Sequence, residues 1–135
     1  NQTGIFLVNK YVIPYMIKNG GGSIVNTSSM YGLVGAPNSF AYTASKGAIN
    51  QMTRTLSLAY AENNIRVNAI APGFVDTAIL SGVPDEYKKI MAKDMPIGRL
   101  GTDDEIATLV KFLLSEESSF MTGAIISIDG GYTAK

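Results

Sequence analysis

Three short apolar segments separated by helix-length stretches are the feature that most constrains how this chain can fold. The segments cover 23–28, 65–71 and 124–128, and the second alternates apolar with polar residues as a strand does. Strands that are joined through helices form parallel sheets with right-handed crossovers. We therefore predict an α/β fold, with about three parallel strands and flanking helices.

The stretches between these segments carry the signals of helices. Pro14 should remove one backbone hydrogen bond from the first helix and bend it, and Thr102 with Glu105 forms a capping box at the start of the last. The glycines at 20–22 follow a helix and precede a strand, so they predict a helix stop and turn rather than a phosphate-binding loop. The predicted helices cover 3–18, 39–62 and 103–115.

The composition limits the classes of function that the chain can have. Its 135 residues are enough for one domain, and its 11 basic and 11 acidic residues give no net charge that would attract a nucleic acid or a membrane surface. The chain contains no cysteine and no histidine, so disulfides are impossible and we predict no metal site. No apolar run approaches ~20 residues and no secretory signal begins the chain, so we expect a cytoplasmic location.

Tyr42 and Lys46 stand four residues apart in an Ala-rich helical stretch, and Ser29 precedes the tyrosine at the end of an apolar run. One helical turn brings positions i and i+4 to the same face. A free phenol ionises only near pH ~10, and a neighbouring ammonium favours the phenolate. The three residues therefore suit proton transfer, with Ser29 holding the reacting oxygen. Alone, the Tyr/Lys pair would by default be explained as an exposed pair on a helix surface.

Five segments that occur in a fixed order along the chain favour the proton-transfer hypothesis. They are Asn-Gln-Thr-Gly-Ile-Phe (1–6), Gly-Ser-Ile-Val-Asn-Thr-Ser-Ser (22–29), Tyr-Thr-Ala-Ser-Lys-Gly-Ala (42–48), Ile-Arg-Val-Asn-Ala-Ile-Ala-Pro-Gly (65–73) and Asp-Gly-Gly (129–131). Together these segments closely resemble the classical short-chain dehydrogenase/reductase family, from one end of the chain to the other.

The resemblance implies an enzyme that uses NAD or NADP to interconvert a ketone and a secondary alcohol. Tyr42 would move the proton, Ser29 would orient the oxygen, and Lys46 would assist the phenol and hold the nicotinamide ribose. Asn1 matches a fourth residue that supports a proton-relay water. The matches to the family's catalytic residues are Ser29, Tyr42, Lys46 and Asn1. The matches to its cofactor contacts are Tyr42, Lys46, Pro72, Gly73, Val75 and Thr77.

The substrate stays open at this stage, beyond a small-molecule ketone or alcohol. Residues 96–107 are similar to 3-oxoacyl-acyl-carrier-protein reductases, whereas residues 129–135 are similar to bacterial secondary-alcohol dehydrogenases. An apolar substrate pocket and ordinary core packing are both possible roles for a set of apolar residues in the predicted loops and a lid-like segment. These are Met30, Leu33, Val34, Ile79, Leu80, Val83, Tyr87, Met91 and Met95.

The family begins with a strand, a Gly-rich turn and a helix that bind the cofactor pyrophosphate, and residues 1–135 contain no such pattern. We therefore expect one partial domain over 1–135, the catalytic and substrate-binding C-terminal half of a Rossmann-type doubly wound parallel sheet. The N-terminal dinucleotide-binding half would be missing. The strand at 23–28 would then present an open edge, so we expect the chain alone to be marginally stable.

Two alternative functions remain. The chain could be a truncated, non-catalytic fragment that serves only as an assembly module. It could also resemble epimerases or dehydratases of the extended family, although its short arrangement after the catalytic helix argues against this. The helices at 3–18 and 39–62 carry more apolar surface than one sheet face needs. This fits the resemblance, which implies that these helices pair between subunits of a homo-oligomer, either a dimer or a tetramer.

Three polar residues beside the predicted strands have ordinary structural interpretations. For Asn26 and Asn68 we expect hydrogen bonds to the backbone. For Asp129, which precedes two glycines, we expect the role of a turn former.

Overall fold

A computed structural model describes residues 1–134, and Lys135, the last residue of the predicted 1–135 domain, lies outside them. The helices are α1 (Gln2–Lys18), α2 (Phe40–Tyr60), α3 (Asp85–Asp94) and α4 (Asp103–Leu114), and the strands are β1 (Gly22–Thr27), β2 (Ile65–Pro72) and β3 (Ile125–Ile128). Short 3₁₀ turns cover Met30–Gly32, Ala61–Asn63, Ala78–Leu80, Glu116–Ser118 and Tyr132–Ala134. The predicted strands and helices are confirmed to within two residues at each end.

The three strands form a parallel sheet in the order β1-β2-β3. Gly22 lies opposite Ile65 in the first pair, and Ala69 lies opposite Ile125 in the second. This arrangement confirms the α/β class and matches half of a doubly wound sheet. Within residues 1–134 the outer edge of β1 pairs with no other strand.

The central strand β2 is buried on both faces because helices cover each side. Ile65 and Val67 pack with Ile13 of α1 and with half-buried residues of α2 on one face. The side chain of Arg66 lies on the opposite face and donates hydrogen bonds to the carbonyls of Leu113 (3.0 Å) and Ser115 (2.9 Å) at the end of α4. Side chains that alternate along a strand produce this two-sided burial.

The junction between α1 and β1 is built from glycines with positive φ angles of 86°, 118° and 150° at positions 20, 21 and 22. The Gly21 amide donates to the Met16 carbonyl at 2.9 Å, and a side chain on Gly21 would overlap the backbone of Asn64. The prediction of a helix stop and turn is confirmed, although Gly22 is already the first residue of β1. Helix α1 continues through Pro14.

Helix α3 corrects the sequence prediction, which assigned residues 79–95 to loops and a lid-like segment. Pro84 precedes the helix, Asp85 and Glu86 lie in its first turn, and Lys93 lies in its last. Acidic residues at a helix start and basic residues at its end are favourable beside the helix dipole. These end signals predict a helix. The sequence prediction relied instead on the apolar residues of the segment and assigned them to loops and a lid beside a pocket.

The two strand asparagines behave differently. Asn68 bonds to the backbone as predicted, donating to the Met121 carbonyl at 2.8 Å and accepting from the Ala124 amide at 3.0 Å. For Asn26 the prediction is wrong, because its side chain donates to Thr53 Oγ1 (3.0 Å) and accepts from Asn9 Nδ2 (3.1 Å). Asn26 faces the covering helices, so its nearest polar partners are the side chains of α1 and α2.

Candidate active site

Ser29 lies directly beyond the carboxyl end of β1. The amide of Ser28 donates to the Ile70 carbonyl of the neighbouring strand at 2.9 Å, which carries the pairing one residue past β1. The Ser29 hydroxyl then caps the 3₁₀ turn Met30–Gly32 by accepting from the Tyr31 amide at 3.2 Å. Only 7% of Ser29 is exposed, so its position is set by the turn.

This turn is held against α2 by short contacts. Ser28 Oγ donates to the Lys46 carbonyl at 3.1 Å, and Asn50 Nδ2 donates to the Gly32 carbonyl at 2.8 Å. A Cβ atom on Gly32 would lie 2.7 Å from Ser28 Oγ and 2.9 Å from the Lys46 carbonyl carbon. The close approach therefore requires glycine at position 32, and it fixes Ser29 relative to α2.

Tyr42 and Lys46 occupy consecutive turns of α2, and their side chains meet. The Lys46 ammonium lies 5.6 Å from the centroid of the Tyr42 ring and donates to the Thr27 carbonyl at 2.9 Å. Burial lowers the pKa of Lys46 from its ordinary value, since a desolvated ammonium is disfavoured. Tyr42 is 41% exposed. The cation and an accessible phenol thus share one face, close to the end of β1.

The other four predicted cofactor contacts, at the end of β2 and just after it, lie around one cavity. Pro72, Gly73, Val75 and Thr77 line one cavity of about 490 Å³ between the end of β2 and helix α4. The Gly73 amide donates to the Ile128 carbonyl at 3.0 Å, and Val75 pairs with Gly101 in an isolated bridge. The segment is thereby fastened at its start to β3 and to the residues that precede α4.

Tyr31 contacts both the Tyr42 ring and the segment that follows β2. The sequence did not single it out. Its ring makes edge-to-face contacts with Tyr42 (6.5 Å between centroids), Phe74 (6.0 Å) and Tyr132 (5.9 Å). Burial, together with a hydrogen bond to the Tyr132 side chain, raises the pKa of Tyr31 to about 12. The available signal was an aromatic residue two positions after Ser29 and directly before the tightly packed Gly32.

Asn1 is not brought into contact with the other predicted catalytic residues. It is exposed at the start of α1, where its carbonyl accepts from the Ile5 amide at 3.2 Å. Within residues 1–134, no hydrogen bond joins its side chain to Ser29, Tyr42 or Lys46. Its role in a proton relay stays a prediction.

The apolar residues assigned to a pocket or to the core divide between the two roles. Met30 and Met95 are buried, at 1% and 2% exposure, and belong to the core. Ile79 and Leu80 line the cavity that contains the predicted cofactor contacts, and Ile79 is 89% exposed. The remaining members are exposed or half-buried, namely Leu33, Val34, Val83, Tyr87 and Met91.

Asp129 forms the turn that was predicted for it. Its carboxylate accepts from the Gly131 amide (3.0 Å), the Thr133 amide (2.9 Å) and the Thr133 hydroxyl (2.6 Å). These bonds hold the C-terminal turn, residues 129–134, in shape. The turn lies beside the start of the segment that follows β2, where Gly73 approaches the Asp129 backbone closely.

Comparison with known proteins agrees with this arrangement. The family model described as enoyl-(acyl carrier protein) reductase matches residues 1–133. The chain is 45% identical to cis-4-hydroxycyclohexanecarboxylate dehydrogenase of Sinomonas cyclohexanicum, over 98% of this chain and 53% of that protein. This chain belongs to the short-chain dehydrogenase/reductase family.

Two further relatives strengthen the assignment to the short-chain dehydrogenase/reductase family. A 3-oxoacyl-[acyl-carrier-protein] reductase of Thermotoga maritima is 45% identical, over 97% of this chain and 53% of that protein. The solved structure of ElxO with NADP bound superposes with a TM-score of 0.92 at 35% identity, over 98% of this chain and 54% of that one. The chain thus spans about half the length of the short-chain dehydrogenase/reductases it matches. Among residues 1–134, no helix is long and apolar enough to cross a membrane.

Proposed function

We propose that the protein carrying this chain is an NAD- or NADP-dependent oxidoreductase that interconverts a ketone and a secondary alcohol. The observation that carries the proposal is the Lys46 ammonium, which lies 5.6 Å from the Tyr42 ring centroid and donates to the Thr27 carbonyl, two residues before the buried Ser29. An accessible phenol beside a cation is suited to moving a proton to or from a substrate oxygen.

In the reduction direction, the Tyr42 hydroxyl donates its proton to the oxygen of the developing alkoxide. The Ser29 hydroxyl orients that oxygen, and the Lys46 charge stabilises the phenolate that remains on Tyr42. The bound nicotinamide supplies the hydride, which is the cofactor's own chemistry. Oxidation of the alcohol runs the same proton transfer backward, and Asn1 is proposed to support a relay that reloads Tyr42.

The residues present fit a nicotinamide cofactor. Pro72, Gly73, Val75 and Thr77 border one cavity at the carboxyl end of β2, which is where ligands bind in open parallel sheets. Lys46 and Tyr42 are proposed to hold the ribose. NADP is present in the solved relative ElxO, and we keep both NAD and NADP in the proposal.

Two substrate classes are proposed from the relatives' names. One relative is named for an alicyclic secondary alcohol and the other for a 3-oxoacyl group on carrier protein. Both reactions interconvert a carbonyl and a secondary alcohol, so the same proton transfer by Tyr42 serves either. Parallel assays with a cyclohexanone and a 3-oxoacyl thioester separate the classes.

The test of the proposed mechanism is Tyr42→Phe in the full-length gene product. We expect kcat/KM for ketone reduction to fall by ~10²–10⁴-fold, because the proton donor is lost while the ring stays. Tyr15→Phe, which removes an exposed phenol from α1, is the matched control and should leave the rate unchanged. Equal rates for Tyr42→Phe and the unaltered enzyme would refute the proposal.

A second candidate is the non-catalytic assembly module. Residues 1–135 contain no Gly-rich phosphate-binding pattern, so whether these residues alone bind the cofactor is the point to test. Titrating chain 1–135 with NADH and NADPH, followed by cofactor fluorescence, separates the two. Saturable binding supports a cofactor site in this chain, whereas its absence leaves the assembly role for the chain alone.

We also propose that the protein is a homo-oligomer, a dimer or a tetramer, that works in the cytoplasm. Helices α1 and α2 border a largely apolar groove of about 790 Å³, and Phe6 beside it is 53% exposed. Covering such a surface with a second copy removes apolar area from water. Phe6→Glu should lower the mass measured by light scattering to that of the monomer, while an unchanged mass would exclude this face.

A further inference from the structure

An aromatic cluster surrounds Tyr31, and the proposed mechanism leaves it without a role. The Tyr31 ring meets three other rings edge to face, those of Tyr42, Phe74 and Tyr132, with centroids 5.9–6.5 Å apart. Edge-to-face geometry at these distances is a favoured arrangement for aromatic pairs. The three partners come from α2, from the segment after β2 and from the C-terminal turn, so Tyr31 joins three separate parts of the chain.

Tyr31 is itself held firmly by the turn that contains it. Its amide donates to Ser29 Oγ at 3.2 Å, Met30 beside it is 1% exposed, and the Gly32 carbonyl accepts from Asn50 at 2.8 Å. The two residues that flank Tyr31 are therefore fixed by burial and by a buried amide. A ring on such a turn can act as a rigid support.

Tyr42, in contrast, is 41% exposed near the start of α2. The Lys46 ammonium lies 5.6 Å from the centroid of its ring, and the Tyr31 ring centroid lies 6.5 Å from it. The ammonium supplies charge, and the edge-to-face contact with Tyr31 limits how the Tyr42 ring can turn. Without Tyr31, the Tyr42 ring would lose that contact and gain a wider range of orientations.

We propose that Tyr31 is a positioning residue, which orients the Tyr42 ring for proton transfer and is itself anchored by Tyr132 of the C-terminal turn. The anchor is a hydrogen bond between the Tyr31 and Tyr132 side chains. Tyr132 is fixed in turn because its amide donates to the Asp129 carbonyl at 3.1 Å, inside the turn that the Asp129 carboxylate closes. The inference rests on the proposed function of Tyr42.

The electrostatics of Tyr31 favour positioning over proton transfer. Burial and the bond to Tyr132 raise its pKa to about 12, so the hydroxyl stays protonated near neutral pH. A general acid works best when its pKa lies near the operating pH. Tyr31 is therefore a poor substitute for Tyr42, and its hydroxyl remains available to bond Tyr132.

The experiment compares Tyr31→Leu, Tyr31→Phe, Tyr132→Phe and the double variant Tyr31→Phe/Tyr132→Phe in the full-length gene product. Tyr31→Leu should lower kcat by ~10–100-fold with KM nearly unchanged, because a small misplacement of a catalytic group is costly. The two Phe variants keep the rings, so we expect smaller and equal losses. The double variant should lose no more than either single variant, since both changes remove one shared bond.

A second readout separates this proposal from the catalytic one. In protein labelled with ¹³C on the tyrosine rings, Tyr31→Leu should shift the Tyr42 ring signal, whereas the exposed control Tyr15→Phe should not. This signal needs no substrate, so it tests the contact even if no ketone is turned over. If Tyr31→Leu fails to fold, Tyr31→Met, which also removes the ring but fills more of its volume, gives the same comparison.

Four outcomes would overturn the inference. A rise in KM at constant kcat would make Tyr31 a substrate contact, and losses that add in the double variant would show that Tyr31 and Tyr132 act separately. An unshifted Tyr42 ring signal in Tyr31→Leu would show that Tyr31 does not contact the Tyr42 ring. If the unaltered enzyme reduces ketones while Tyr31→Leu has normal kcat, this inference fails and the proposed function stands.

Discussion

Two segments follow the carboxyl ends of the neighbouring strands β1 and β2, and they differ in burial and in how they are held. The 28–32 turn after β1 is buried and fastened to α2 by side-chain bonds from Ser28 and Asn50. The hydrogen bonds within the 77–83 segment after β2 are all short-range, from the amides of Leu80, Ser81 and Val83 and from the Ser81 hydroxyl, and Ile79 there is 89% exposed. The first lies beside the residues proposed for proton transfer, and the second borders the cavity proposed for cofactor and substrate.

The difference shows what this chain fixes by itself. Within residues 1–134, the contacts of Ser28 and Lys46 with each other's elements and of Tyr31 with Tyr42 hold the proposed proton-transfer residues. The 77–83 segment is open on the side where a cofactor and a substrate are proposed to bind. We therefore expect substitutions in the first segment to change stability and rate together, and substitutions in the second to change mainly binding.

The largest effect is expected from Gly32→Ala. A new Cβ would lie 2.7 Å from Ser28 Oγ and 2.9 Å from the Lys46 carbonyl, and overpacking of this kind destabilises by about 1–3 kcal/mol. Because the displaced atoms hold Ser29 and Lys46, kcat should fall as well. The matched control is Gly35→Ala, where a Cβ would meet nothing within 4 Å. Urea unfolding and ketone-reduction kinetics check both variants, and equal stability of the two would contradict the account of a tightly fastened turn.

A smaller effect on stability is expected from Glu105→Gln. Glu105 lies close to Gly101, which pairs with Val75 just before the 77–83 segment. Arg99 and Thr102 hold the Glu105 carboxylate and lower its pKa from 4.5 to about 2. A depressed carboxyl pKa contributes stability that is fully present above pH 4.5 and is lost as the pH falls toward about 2. Glu105→Gln should therefore flatten the fall in unfolding free energy across that window.

The control for that experiment is Glu62→Gln, which removes an exposed carboxylate outside this cluster. It should leave the acid slope of the unaltered protein in place. If Glu105→Gln and Glu62→Gln gave the same slope, the ion pair of Arg99 with Glu105 would have no measurable part in holding this region.

The smallest effect on stability is expected from Ile79→Ala, at the exposed tip of the 77–83 segment. Removing a side chain that is 89% exposed should change the unfolding free energy by no more than about 0.5 kcal/mol. The same change at Ile70, which is 1% exposed in β2, should cost about 2–5 kcal/mol. A large loss of stability in Ile79→Ala, measured by urea unfolding, would mean that the 77–83 segment is packed after all.

The sequence predicted the regular elements well because each carries its own local signal. Strand alternation in 65–71 and the capping box of Thr102 with Glu105 depend only on neighbours in the chain, and both appear in the structure. Asn26 and Tyr31 have partners up to about a hundred residues away, such as Tyr132 for Tyr31. Contacts of that range depend on how helices and turns pack, so spacing along the chain could not predict them.

The central claim is that Tyr42 moves the proton and that the Lys46 ammonium, 5.6 Å from the Tyr42 ring centroid, supports that transfer. The most direct test is the kinetics of ketone reduction by the full-length gene product, with Lys46 intact and with Lys46→Met. We predict that kcat falls by ~10²-fold or more in Lys46→Met, because the negative charge that develops on Tyr42 during the reaction loses its neighbouring cation. An unchanged kcat in Lys46→Met would contradict the account.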